Sequence, residues 1–123
     1  MKAVVCHAYG PPESLTVEEV APVTPGRGQV VISVKAWGVN CPDTLIIQGL
    51  YQFKPSPPFS PGAEVAGIVK AVGAGVEHLK AGDRVMSLAA YGGFAEEVVA
   101  DATAVILMPD SSDFDVASSF VMT

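Results

Sequence analysis

The sequence predicts a mainly β fold, a barrel or sandwich of about seven short strands, on three observations. Short apolar runs recur along the chain, with turn residues roughly every 8–12 positions. Hydrophobic residues make up 50% of the 123 positions and charged residues only 16%, enough apolar surface to close one core. Helical signals are few, being confined to one short segment in the first half and one near the end.

Lys2 to His7 is rich in valine and reads as a first strand. The turn Tyr9-Gly10-Pro11-Pro12-Glu13 separates it from Leu15 to Val20, whose alternation fits a half-buried strand. Pro22, Pro25, Gly26 and Gly28 form a stiff connection to Gln29–Ala36, the clearest strand, with Val30, Ile32 and Val34 on one face. Cys41 to Gln48 then reads as a helix of two turns. Asn40 or Cys41 suits its N-cap, Pro42 its first position and Gly49 its C′ position. Pro55, Pro57, Pro58 and Pro61 exclude regular structure from Tyr51 to Pro61 and predict an ordered, extended cover.

A strand follows to Val72, and Gly73 to Asp83 is loop and turn. Arg84–Leu88, Phe94–Ala100 and Ala104–Met108 read as three further strands. Ser112 with Asp115 three residues on resembles a capping box, and Ala117–Met122 continues as a helix. That helix carries Phe120, Val121 and Met122 with nothing yet to pack on, so the chain is expected to be part of a longer protein.

Composition removes several function classes. A net charge of −6 without a basic stripe argues against nucleic acid. No apolar run approaches the roughly 20 residues that span a bilayer, and the first residues turn polar too quickly for a signal peptide. The expectation is a soluble, cytoplasmic chain with no membrane insertion. Its two cysteines, Cys6 and Cys41, are then reduced and unpaired.

The stretch Phe59 to Gly73 holds the main sign of a site. Pro61-Gly62 makes a turn, and the apolar run after it starts with Glu64, a carboxylate that is costly to bury without a partner. Gly67 inside the run marks a bulge or a close backbone approach. Metal ligation by His7, His78, Cys6 and Cys41 is disfavoured, because no Cys-x-x-Cys or His-Glu-x-x-His spacing exists. His7 and His78 read as solvated or locally bonded residues and Cys41 as a small buried one. Gly73-Ala74-Gly75-Val76-Glu77-His78 begins like a phosphate loop but has His78 where the third glycine belongs, so it reads as a turn. The remaining polar set is Asn40, Asp43, Tyr51 and Glu64, with Arg84 and Tyr91 as further members. For Asn40 and Asp43 helix capping competes with a cleft role, for Tyr51 packing under the proline loop, and for Glu64 an ion pair with Arg84 or a lysine.

Several ordered motifs together resemble the medium-chain dehydrogenases/reductases. These are Gly38-Val39-Asn40-Cys41-Pro42-Asp43, Pro61-Gly62-Ala63-Glu64-Val65-Ala66-Gly67, Val72-Gly73, Ala81-Gly82-Asp83-Arg84-Val85 and Gly92-Gly93-Phe94-Ala95-Glu96. Within that superfamily the chain is most similar to the zinc-free NADPH:quinone oxidoreductases, the zeta-crystallin-like branch. Zinc alcohol dehydrogenases place a cysteine and a histidine where this chain has Asn40 and Ala63, and the four-cysteine lobe for structural zinc is missing after Asp83.

The resemblance implies a GroES-like (chaperonin-10-like) β-barrel over 1–123, forming the substrate side of an active-site cleft. It implies a C-terminal helix leading toward a Rossmann domain, absent from these residues, that would carry NADPH. It places Asn40 near the nicotinamide and Tyr51 in the quinone pocket, with Asp43 and Glu64 persisting without a metal. A second pocket tyrosine of that branch falls at Leu45. The implied function is hydride transfer from NADPH to a quinone or enone, without zinc, and a homodimer is admitted for the full-length protein. The competing reading is a free-standing barrel that binds a partner and catalyses nothing.

Overall fold

The computed structural model describes residues 1–39, 41–52, 54–88, 91–109 and 113–114. Seven strands and one short helix follow in the order β1 (Lys2–Val5), β2 (Thr16–Glu19), β3 (Gln29–Gly38), α1 (Cys41–Ile47), β4 (Glu64–Val72), β5 (Arg84–Leu88), β6 (Glu97–Asp101) and β7 (Val105–Leu107). Two single-turn 3-10 segments, Pro12–Ser14 and Ala102–Ala104, complete the described elements. This is the mainly β fold that the sequence predicts. The expected helix Ala117–Met122 and the capping box at Ser112 lie outside the described residues, as does Asn40.

β6-β3-β4-β5-β7 form one antiparallel sheet, and β1 and β2 pair separately. The Ala3↔Ala95 bridge and the bond from Val4 N–H to Phe94 O, 2.8 Å, join the two sheets just before β6. Among the described residues β6 and β7 do not pair with each other, so the hydrogen bonds wrap part of the way round and do not close a barrel.

β-branched residues at alternate positions account for β3. Val30, Ile32 and Val34 face one way and pack with Val65, Val69, Val85 and Val98 in the main core. The alternation is broken twice along the β3–β4 ladder. Ala71 pairs with Val31 and Val69 with Ile32, leaving Lys70 as an extra residue. Val34 pairs with Gly67 and Ala36 with Ala66, leaving Lys35 as another. Both bulge residues are exposed lysines, and the Lys70 ammonium pairs with the Glu97 carboxylate. The second bulge turns Ala36 to the face opposite Val34, where Ala66 packs with Met86, Met108 and Phe114.

Gly67 is the close approach that the sequence predicts. A Cβ there would lie 2.1 Å from Ser33 O and 3.0 Å from Ile32 Cγ2. The β3 backbone therefore sits where any side chain would go.

Three other expectations change. β2 is exposed rather than half-buried, with Val17 at 72%, because among the described residues its only partner strand is β1. Leu79, read as part of a surface turn, is buried in the main core. Glu64 and Arg84 stand at opposite ends of the β4–β5 ladder, paired with Leu88 and Ile68 respectively. Four rungs, roughly 13 Å, separate them, too far for the ion pair considered from sequence. The Arg84 guanidinium instead lies 4.1 Å from the centre of the Phe114 ring. Among the described residues no helix is long and apolar enough to cross a membrane.

Two expected outcomes follow from this packing. Gly67→Ala destabilises the domain by about 3 kcal/mol, read as a lower urea midpoint, because the β3 backbone has no room to retreat. Asp83 closes the turn into β5: its Oδ2 accepts the Lys80 N–H at 2.9 Å and Oδ1 lies 3.2 Å from Lys80 Nζ. The Lys80 N–H, more than the side chain, holds the Asp83 carboxyl below its ordinary value. A lowered folded pKa adds stability above the unfolded value and loses it as pH falls through the folded one. Asp83→Asn is therefore less stable than the parent at neutral pH, and the difference in urea midpoint closes as pH drops below about 4.

Candidate functional site

The antiparallel order brings the end of β3, the start of β4 and the end of β5 to one edge of the sheet. Glu64 lies there between Gly38 and Leu88, its ladder partners on either side, and is 1% exposed. Asp43, in the first turn of α1 just past β3, is 3% exposed. Two carboxylates so far from water are tolerated only when balanced within the fold, and neither is without a partner. Of the sequence-predicted set, Asp43 and Glu64 thus share the strand-end region. Arg84 does not belong to it, and Asn40 lies outside the described residues.

The approach to Glu64 is fixed by backbone bonds. Gly92 N–H donates to Ser60 O at 2.7 Å, Gly93 N–H to Gly62 O at 2.9 Å and Phe94 N–H to Pro61 O at 2.9 Å. Gly62 adopts φ +101°, and a Cβ there would meet Phe94 Cδ1 at 2.6 Å, so only glycine fits. One residue upstream, Cys6 and Phe59 exchange bonds in both directions, at 2.7 and 3.1 Å. α1 is tied down by Gly10 N–H donating to Ile47 O at 2.8 Å. It ends in a Schellman motif, with Gly49 N–H on Ile46 O and Leu50 N–H on Leu45 O, as Gly49 predicts.

Aromatic rings gather beside this edge. Phe59 is buried with Cys6, Ile46 and Ile47, and Tyr51 packs half-buried against that cluster. Tyr9 tilts against Phe59 at 6.4 Å, its hydroxyl donating to Pro55 O at 2.6 Å, and Tyr91 meets Phe59 edge-on at 5.9 Å. Phe59, Tyr91 and Leu88 line part of an open cleft of about 770 Å³. Leu88 thereby connects the cleft with the strand end that holds Glu64. Sequence reading missed Tyr9 and Phe59. Their signal was available: Phe59 directly precedes the Ser60-Pro61-Gly62 turn, and Tyr9 opens the turn before β2.

The remaining candidates are structural. Burial pushes the Cys6 thiol above its ordinary value, and it points toward the carbonyls of Ala8 and Ile47. That is the environment of an inert thiol. His7 pairs with Glu18 across the β1–β2 hairpin, and His78 lies 3.2 Å from Ala102 O. The Gly73–Gly75 turn is closed by Gly28 N–H on Ala74 O at 2.9 Å, which fits a turn rather than a phosphate cradle. Among the described residues no three His, Cys, Asp or Glu side chains converge as a metal site.

The chain matches the Alcohol dehydrogenase GroES-like domain over residues 26–110. It is 41% identical to the quinone oxidoreductase of Sus scrofa over 93% of this chain and 35% of that protein. It is 38% identical to the synaptic vesicle membrane protein VAT-1 homolog of Rattus norvegicus over 99% of this chain and 31% of that protein. The solved structure of Escherichia coli quinone oxidoreductase complexed with NADPH superposes with a TM-score of 0.92. It is 36% identical and covers 98% of this chain and 37% of that one. The chain thus spans well under half the length of the relatives it matches. On its own residues it belongs to the alcohol dehydrogenase GroES-like domain family, in the medium-chain dehydrogenase/reductase superfamily.

Proposed function

We propose that this chain is the substrate-side part of an NADPH-dependent reductase of quinones or conjugated enones that works without zinc. The observation that carries the reading is the open cleft that Phe59, Tyr91 and Leu88 line at one end, beside the Glu64 strand end, and residues of β6 line at the other. Such a wall suits a flat, largely apolar acceptor, and the carboxylates of Glu97 and Asp101 elsewhere in the lining disfavour a phosphate. Relatives named quinone oxidoreductases, one of them solved with NADPH, support the same chemistry.

The residues do not fit a catalytic zinc. At the positions where zinc relatives carry histidine and cysteine stand Ala63 and Asn40. The Ala63 methyl has no donor atom, and a carboxamide is a poor substitute for a thiolate. NADPH, when bound, supplies a hydride; its dinucleotide body would be held by residues other than these, since no glycine-rich phosphate loop occurs in the 123 positions. The tasks left to this chain are orientation and exclusion of water. Tyr51 and the Phe59 cluster would seat the acceptor, and Asn40 would offer its amide to the nicotinamide or the acceptor carbonyl. Asp43 and Glu64 would hold the β3–α1 and β4 junctions beneath the cleft.

The full-length protein carrying this chain is expected to oxidise NADPH when given a quinone or an enone, with no loss of rate after a zinc chelator. No turnover with either acceptor overturns the reductase reading, and stoichiometric zinc in the pure protein overturns the metal-free one. The 123-residue chain alone is expected to show no NADPH oxidation, because it lacks a site for the dinucleotide. Tyr51→Ala should raise KM for a quinone about 3–10-fold with a smaller change in kcat, as expected for lost seating. Asn40→Ala should lower kcat about tenfold, the worth of one hydrogen bond made in the transition state.

A further inference from the structure

We propose that the outer edge of β6 is a strand-docking site, filled in the full-length protein by an extended segment of the same polypeptide from outside these 123 residues. The inference holds whichever acceptor the cleft takes. All five residues of β6, Glu97 to Asp101, line the cleft. Successive side chains of a strand point to opposite faces, so a cavity that touches all five runs along the strand's edge rather than over one face. Val20, Ala21 and Val23, past the end of β2, line the same space.

This edge is chemically incomplete. Val34 N–H donates to Glu96 O at 2.8 Å and Ala102 N–H to Gly28 O at 2.9 Å; between them Ile32 pairs with Val98 and Val30 with Ala100. Bonding alternates along an antiparallel ladder, so the N–H and C=O groups of Glu97 and Val99 point away from β3. Among the described residues these groups make no hydrogen bond, and β6 is the last strand of its sheet. The Glu97 side chain repeats the pattern: Oε2 pairs with Lys70, while Oε1 is buried without a hydrogen bond. Groups of this kind need a partner when water is excluded. The strand also carries no lysine or proline that would turn a second strand away.

Charge and chain length decide the occupant. Two copies of β6 paired symmetrically about Val99 would set Glu97 against Asp101 at both ends, acid against acid, which disfavours a second copy of this chain. The chain spans 35% of the Sus scrofa relative, so a full-length protein of that size has ample polypeptide to supply the strand. A tethered segment also docks at a high effective concentration, which a separate partner lacks. Val98 and Ala100 belong to the main core, so the core-facing residues of the incoming strand are apolar. The residue beside Glu97 is a hydrogen-bond donor, lysine or arginine first. Such a strand closes the β6 end of the cleft and leaves the Phe59 end open.

The test uses the full-length protein. Amide hydrogen exchange followed by NMR should show Glu97 and Val99 slowed at least about 100-fold, within about tenfold of Val98 and Ala100. Exchange at Glu97 and Val99 as fast as in an unstructured peptide overturns the proposal. A photoreactive benzoylphenylalanine in place of the exposed Asp101 should cross-link within one polypeptide, to a peptide outside the 123 residues. Cross-linking to a second copy, to another protein or only within the 123 residues overturns it too. Val99→Pro removes an N–H that β3 does not use. It should speed exchange at Glu97 at least about tenfold and change Val98 and Ala100 less than about threefold. Exchange at Glu97 that stays at the parent's rate counts against the docked strand. Should Val99→Pro fail to fold, exchange in the parent and the cross-link decide.

Discussion

Everything at the strand-end edge depends on the three backbone bonds that zip Ser60–Gly62 to Gly92–Phe94. They set how Ala63 and Glu64 enter the sheet, and so the depth at which a carboxylate is buried between Gly38 and Leu88. The same bonds carry Tyr91 to Phe59. A side chain at position 62 would push Phe94 away and loosen both ends of this arrangement at once. The geometry at this end of the cleft is thus a property of main chain.

What the sequence revealed and what it hid divide along physical lines. Gly67, Gly49 and Gly62 were legible because a missing side chain marks a local backbone demand that neighbouring residues cannot change. The main-core face of β3 was legible because β-branched alternation has only one reading. The solvent exposure of β2 was not legible. Its alternation is genuine, but burial needs a second layer, and β1 alone does not supply one. The separation of Glu64 from Arg84 was hidden for a related reason. Pairing register is a long-range property, and opposite charges in sequence say nothing of which rung each occupies.

In the candidate site, Glu64 was found because burying charge is costly enough to stand out in an apolar segment, and Asp43 because it belongs to the polar set at the start of the expected helix. Tyr9 and Phe59 were overlooked because an aromatic residue beside a proline turn looks like ordinary packing until its neighbours are known. The resemblance to zinc-free reductases directed attention to Asn40 and Tyr51. The fold adds that the rings around Phe59 form a group drawn from three separate segments. A site of this kind holds its ligand by shape and apolar contact, so its preferences rest on which rings are present more than on any single charged residue.

The bridge between Ala3 and Ala95, with Lys2 N–H donating to a Glu96 carboxylate at 2.7 Å, has a consequence for how the chain is made. The first strand leaves the ribosome early, yet its link to the larger sheet emerges only some ninety residues later. Until then the segment has β2 and, once Phe59 has emerged, the two bonds between Cys6 and Phe59, and a two-stranded hairpin is marginal in water. Closure of the two sheets is therefore a late event in synthesis, and the valines of β1 spend that interval exposed, when unpaired strands are most prone to wrong partners.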